Sequence, residues 1–259
     1  MRYFVVDAFT DEPFHGNPAG VCLMDAFPSD AVMQAIAAQN NLSETAFAVP
    51  TGDVVALRWF TPAAEVDLCG HATLGTAAVW FEEGLGSGDT VTFETRSGAL
   101  TVTREDRRLT MDFPRNDPRP LPITAAMCRA VGEAGIVAAA AGGDDLLLEL
   151  VDEAAVRTLV PDMAAIGALE FRGVIVTARG DDCDMVSRFF GPRVGVPEDP
   201  VTGSAHTALT PYWAAKLGKD SLVARQVSQR GGTVWCSLAG NRVRIAGRAR
   251  RYLTGEIAV

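Results

Sequence analysis

Arg58-Trp59-Phe60-Thr61-Pro62 recurs 130 residues later as Arg188-Phe189-Phe190-Gly191-Pro192, and the likeness spreads outward from this pair. Gly70 through Trp80 matches Gly203 through Trp213 in length, with Ala72 over Ala205 and the tryptophans in register. Further on, Arg96-Ser97-Gly98 lies over Arg230-Gly231-Gly232, and Arg108-Leu109 over Arg242-Val243, the offset drifting from 130 to 134 as small loop insertions would make it do. Three blocks in one order describe a chain of two similar halves, a far longer period than a solenoid repeat.

The periodicity switches in the same order within each half. Residues 54–60 and 174–178 are short and rich in β-branched residues, as strands are. A glycine then opens a helix-like stretch, Gly70 to Trp80 in one half and Gly203 to Thr210 in the other, whose small residues on all sides predict burial all round. A hairpin closes each half. One runs from Ala99 through a turn at Glu105-Asp106 to Phe113, the other from Thr233 through Gly240-Asn241 to Ala246. Asp30 to Asn40 reads as an amphipathic helix capped by Ser29, with Val32, Met33 and Ile36 on its buried face. Pro114 to Pro122 carries four prolines and reads as the linker. The expected class is α+β, with domains at 1–115 and 116–249 and a last strand, within 250–259, returning to the first half.

At 259 residues the chain has room for one large domain or two smaller ones. Its 48% hydrophobic and 21% charged residues are those of a packed protein rather than a disordered one. A formal charge of -9 makes a poor nucleic-acid platform, and the basic run Arg248-Ala249-Arg250-Arg251 reads as a solvated strand face. No apolar run approaches the ~20 residues of a membrane span, and Met1 to Asp7 leaves no room for a signal peptide's apolar core. The five cysteines stand singly with no C-x-x-C pair, which predicts neither disulfides nor a zinc site and fits a reducing cytoplasm. Nucleotide, dinucleotide and zinc-protease motifs are absent, so the expected chemistry uses no cofactor and no metal.

The two glycine turns place unpaired backbone N–H groups and positive helix ends at Gly70 and Gly203, which suits a carboxylate or oxyanion; close helix packing is the alternative use of both glycines. His71, on the first turn, should stay neutral beside a helix N-terminus and serve as donor or proton acceptor, unless it is a buried histidine satisfied by a carbonyl. Asp199, before the second turn, is either a helix cap or an acid facing the cleft. Glu44 stands among apolar and small residues in Asn41-Leu42-Ser43-Glu44-Thr45, a setting that can raise a carboxyl pKa and make it a proton shuttle, although simple solvation is the commoner fate of such a glutamate. His15, in the turn cluster His15 to Gly20, reads as a loop residue.

These motifs, with Val6-Asp7-Ala8-Phe9, Gly16-Asn17-Pro18, Phe60-Thr61-Pro62, Gly70-His71, Asp199-Pro200 and Thr202-Gly203-Ser204-Ala205, run nearly end to end. The chain they make resembles the phenazine-biosynthesis PhzF-like family of the diaminopimelate epimerase-like superfamily. The resemblance implies two pseudo-symmetric halves, each a rolled β-sheet around a central helix, an active site in the cleft between them, and a homodimer. It implies an isomerase similar to trans-2,3-dihydro-3-hydroxyanthranilate isomerase, acting on a small carboxylic acid, with Glu44 carrying the proton. His71 and Asp199 then fall on catalytic positions, and Gly70, Gly203 and Ser204 on substrate-binding ones. Superfamily racemases instead use one thiol before each glycine turn. Cys69 fits the first, but Thr202 stands at the second, so the thiol pair is broken and Cys69 reads as a small buried residue. A non-catalytic binder of small acids or of a protein partner is the remaining alternative.

Overall fold

The computed structural model describes residues 1–259, apart from the side chain of Glu133. The chain divides into two compact units, Met1–Asp112 with Ala246–Val259, and Phe113–Ile245.

The first unit runs β1 (Arg2–Ala8), β2 (Asn17–Leu23), α1 (Asp30–Asn40), β3 (Glu44–Thr51), β4 (Val54–Phe60), β5 (Glu65–Val66), α2 (Gly70–Glu82), β6 (Thr90–Thr95), β7 (Gly98–Glu105) and β8 (Arg108–Pro114). The second runs β9 (Arg119–Leu121), α3 (Ala125–Val131), β10 (Ile136–Gly142), β11 (Asp145–Leu150), α4 (Glu153–Thr158), α5 (Met163–Gly167), β12 (Gly173–Arg179), β13 (Met185–Gly191), β14 (Val196–Asp199), α6 (His206–Leu217), β15 (Ser221–Gln226), β16 (Gly232–Ala239) and β17 (Arg242–Gly247). The last strand, β18 (Ala249–Glu256), belongs to the first unit and lies antiparallel to β1.

The pairing pattern is the same in both units. β1 is flanked by β18 and β2, both antiparallel; β3 runs parallel to β2 and antiparallel to β4; β6 runs parallel to β4 and antiparallel to β7. In the second unit β10 is flanked by β9 and β11, and β12, β13, β15 and β16 follow with the same alternation. Parallel neighbours need a crossover, and helices supply it: α1 between β2 and β3, α2 between β4 and β6, α4 and α5 between β11 and β12, α6 between β13 and β15.

Two layers of packing follow. α2 is buried at every residue from His71 to Trp80 and lies against β1, β2 and β3. On the other face of that sheet Met33, Ile36 and Ala37 of α1 pack with Cys22, Phe47 and Phe60. β11 is buried along its whole length, as a strand with both faces covered must be. Leu146, Leu148 and Leu150 meet the cluster of Met127, Val156 and Ile166 from α3, α4 and α5, while Trp213 of α6 donates its indole N–H to Thr177 of β12 at 3.0 Å.

Three local expectations are corrected. Ser29 precedes α1 but makes no capping hydrogen bond with its side chain. The proline-rich linker contains a strand, because Arg119, Pro120 and Leu121 pair with Ala141, Ala140 and Ala139. The second helix-like stretch, expected at Gly203 to Thr210, is α-helical from His206 to Leu217 and passes through Pro211. Pro211 cannot donate to Thr207 O, four residues back, and the N–H of Asn116 takes that carbonyl instead at 3.3 Å.

Candidate active site

Glu44 is the first residue of β3, just after α1 ends on Asn41 in the left-handed conformation at φ 50°. Parallel pairing sets Glu44 opposite Ala19, and Asn40 ties the turn down by donating to Thr45 Oγ1 at 3.2 Å. Cys69, extended at φ -143° and ψ 106°, is the residue that enters α2. Its carbonyl accepts both the backbone N–H and the hydroxyl of Thr73, at 3.1 and 2.6 Å. His71 therefore begins the helix with its ring enclosed.

Two residues from distant parts of the sequence meet there. Nε2 of His71 lies 3.1 Å from Oε2 of Glu44, while Nδ1 lies 3.5 Å from Sγ of Cys69. The Glu44 contact is close but off-line, so buried Oε2 has no well-aligned hydrogen-bond partner among the described residues. Burial works against the Glu44 charge, yet His71 and the Cys69 thiol hold this carboxyl below its ordinary range. Burial likewise works against a charged ring, and Cys69 and Glu44 overcome it, holding His71 well above the ordinary histidine value. Burial and the Glu44 charge push the Cys69 thiol up, so it keeps its proton.

The expectations for these charges are thus reversed. Glu44 is a carboxylate rather than a carboxyl of raised pKa, and His71 is drawn toward imidazolium rather than kept neutral. An opposite charge at 3.1 Å, shielded from water, outweighs the partial positive charge of the helix end. Glu44, Cys69 and His71 have ligand-type atoms within 4.8 Å of one another, the one such group found among the described residues. Sγ of Cys69 also lies 4.0 Å from Nε2, so carboxylate and thiol both approach that nitrogen.

The equivalent positions of the second unit hold different chemistry. Thr45 pairs with Phe60 and Val174 with Phe190, so Gly173 stands where Glu44 does. A Cβ there would come within 2.3 Å of the Phe189 ring. Thr202 takes the place of Cys69 and Ser204 that of His71. Asp199, at the end of β14, accepts the Thr202 hydroxyl at 2.5 Å, and Gln226 accepts the Thr202 N–H at 2.8 Å. Arg172, gripping Asp145 with two hydrogen bonds of 2.9 and 2.5 Å, donates to Ser204 Oγ at 3.3 Å. The turn at Gly203 winds as i to i+3 bonds, with His206 N–H on Gly203 O and Thr207 N–H on Ser204 O, before α geometry begins. Both turns leave early backbone N–H groups outside the helical ladder, Gly70 and His71 in one, Gly203 and Ser204 in the other.

His15 sits exposed, its Nδ1 3.1 Å from Pro13 O, as a loop residue. The basic run is paired rather than merely solvated: Arg248 meets Asp11, and Arg251 meets Glu82 and Glu83. The contacts of Cys69, Arg172 and Gln226 went unread in the sequence, and only the position of Cys69 next to the glycine turn offered a signal.

The two α+β units with their shared strand order are the architecture of the diaminopimelate epimerase-like superfamily. The model of the phenazine biosynthesis-like protein family matches residues 6–255. An uncharacterized isomerase of Pseudomonas aeruginosa is 52% identical over 257 residues, covering 99% of this chain and 98% of that one. A crystal structure of a PhzF-family phenazine biosynthesis protein from Enterococcus faecalis superposes with a TM-score of 0.97 at 47% identity, over 100% of this chain and 99% of that one. A putative phenazine biosynthesis PhzC/PhzF protein from Clostridium difficile gives 0.95 at 42% identity, with both chains covered at 100%. The chain belongs to the phenazine biosynthesis-like (PhzF) family and is an enzyme of the isomerase type. No helix among the described residues is long and apolar enough to cross a membrane.

Proposed function

We propose that this enzyme moves a proton within a small unsaturated or cyclic carboxylic acid without a cofactor, and that Glu44 carries the proton. The observation that supports this reading is the Glu44–His71 pair. A carboxylate kept ionised by an enclosed imidazole, with one oxygen lacking a well-aligned partner, is a base waiting for a proton. Glu44 removes a proton from one carbon of the acid, and the electron pair left behind delocalises into the conjugated system. A proton then returns from the Glu44 carboxyl, after exchange with solvent, to another carbon, giving the isomer with no net gain or loss. His71 stabilises the carboxylate before the transfer, and the open N–H groups at Gly70 and His71 supply donors for the substrate's negative charge. In the second unit the reading assigns Gly203 and Ser204 to substrate binding and Asp199 to the catalytic set. A two-thiol racemase fits less well, since Thr202 stands where the second thiol belongs and its hydroxyl is committed to Asp199. The family resemblance also supports a homodimer, to be checked by sedimentation against a chain mass of 27.4 kDa, and the five unpaired cysteines support a cytoplasmic location.

The test is a panel of cyclic and unsaturated carboxylic acids, with trans-2,3-dihydro-3-hydroxyanthranilate among them, run in heavy water. Deuterium should enter the product at the newly protonated carbon. Glu44→Gln should bind the acid and lose about 10²- to 10⁴-fold in turnover, the usual contribution of general acid–base catalysis. His71→Asn should lose less if the ring only supports the carboxylate. Full activity in Glu44→Gln would remove Glu44 from the mechanism. Binding of several acids with turnover of none would favour a non-catalytic role.

A further inference from the structure

We propose that Glu44, Cys69 and His71 form a binding site for one thiophilic divalent cation of the zinc class, held by Oε2, Sγ and Nε2. The ion is an inhibitor rather than a cofactor, because it ligates the carboxylate assigned to proton transfer. That consequence rests on the reading of Glu44 as the base; the site itself does not.

The ligand atoms converge. Nε2 lies 3.1 Å from Oε2 and 4.0 Å from Sγ, and the three atoms stand within 4.8 Å of one another. Zinc bonds of ~2.0–2.3 Å at tetrahedral angles set ligand atoms ~3.3–3.7 Å apart, so seating an ion asks for adjustments of about 1 Å. Glu44 can make them. Its Oε2 is buried with no well-aligned partner among the described residues, so no good hydrogen bond has to break. The off-line approach of Oε2 to Nε2 is poor for a hydrogen bond but right for shared ligation. Ligands of one tetrahedral ion stand ~35° off each other's bond line to the metal, which leaves that line to the ion.

Two elements keep the set in place. Glu44 opens β3 in register with Ala19 of β2, while Cys69 and His71 flank Gly70 at the entry to α2, where both hydrogen bonds from Thr73 hold the Cys69 carbonyl. The Glu44 side chain is 18% exposed against 8% for His71, so the carboxylate is the port by which an ion enters. The donor set selects the ion. One thiolate, one imidazole and one carboxylate suit zinc, cobalt or cadmium, whereas magnesium and calcium prefer oxygen throughout. With three protein ligands, a fourth position is left for water or for the carboxylate of a bound acid. Ligation releases the thiol proton and the Nε2 proton of the imidazolium, so a dication replaces two protons and the net charge buried there does not change. Cysteine spacing gave no sign of this site, because its carboxylate comes from a segment 25 residues before Cys69.

The experiment uses the whole chain, stripped of metal with a chelator, and needs no substrate. Calorimetry with Zn²⁺ should show one ion bound per chain with a Kd of ~10 μM or tighter, and Mg²⁺ and Ca²⁺ should give no binding heat. Co²⁺ should give a thiolate-to-metal charge-transfer band in the near ultraviolet and the intense visible bands of a four-coordinate ion. Cys69→Ala should abolish the charge-transfer band and weaken Zn²⁺ by more than ~10²-fold, the upper cost of losing an outer-shell partner. Glu44→Gln should weaken Zn²⁺ while keeping the band. If Cys69→Ala does not fold, Cys69→Ser keeps the size without the thiolate and serves the same comparison. A Zn²⁺ Kd weaker than ~10 μM would overturn the proposal. So would a charge-transfer band that survives unchanged in the folded Ala or Ser variant, because the ion would then sit on another cysteine. Turnover is a separate readout. With an accepted acid, saturating Zn²⁺ should stop deuterium uptake and a chelator should restore it; turnover that continues with the ion bound would refute Glu44 as the base and leave the metal site standing.

Discussion

His206 gives the second unit an acid-sensitive core. Its ring is fully buried, Nδ1 sits 2.8 Å from Thr202 O, and Nε2 has no hydrogen-bond partner among the described residues. The carbonyl takes a proton from Nδ1, so the ring is neutral with its lone pair on Nε2 facing protein. Charging it there is costly, and burial lowers its pKa from 6.5 to about 4. In the unfolded chain the ring titrates at its ordinary value. The folded pKa is therefore depressed, and the stability it contributes is fully present above pH 6.5 and lost as the pH falls toward 4. A difference of about 2.5 units at ~1.4 kcal/mol per unit predicts a loss of about 3 kcal/mol across that window. His71 acts oppositely. Its pKa is raised, so its contribution is complete below 6.5 and fades as the pH rises through the folded value. Comparing wild type with His206→Gln removes that background, since glutamine can still donate to Thr202 O but does not titrate. Urea denaturation at pH 7.5, 6.5, 5.5 and 4.5 should show the variant less stable at pH 7.5 and the gap closing, or reversing, by pH 4.5. A gap that stays constant to within ~0.5 kcal/mol would refute this account of His206.

Two glycines give opposite predictions from their surroundings. Gly75 lies within α2, and a Cβ there would meet Val6 at 3.5 Å, an ordinary contact; Gly75→Ala should stabilise the protein by about 0.5–1 kcal/mol in the same denaturation assay. Gly173→Ala would push a methyl into the Phe189 ring at 2.3 Å and should cost about 1–3 kcal/mol, with a lower Tm by calorimetry.

The like strand order of the two units was legible because the blocks that repeat are those the fold cannot vary: aromatic residues of β4 and β13, and the glycine turns and tryptophans around α2 and α6. α2 was readable from its small residues alone. The start of α6 was not, because Gly203 to Ala205 form a turn of i to i+3 bonds that composition does not separate from α-helix. Its passage through Pro211 depends on Asn116, 95 residues earlier. At the site, residue types sufficed to single out Glu44 and His71, while their charges were misjudged. Each pKa had been read from its own neighbours in sequence, whereas the decisive neighbour of each is the other, 27 residues away.

β18 pairs along the whole of β1, so the strand that opens the chain is completed by the one near its end. On the ribosome this reverses the usual order of domain folding. Phe113–Ile245 is contiguous and can close as soon as it has emerged, but the unit containing Met1 must keep the outer edge of β1 unpaired until residues 249–256 are made. The part of the enzyme that bears Glu44 and His71 is thus translated first and finished last, and during that interval its exposed strand edge is the stretch most in need of a chaperone.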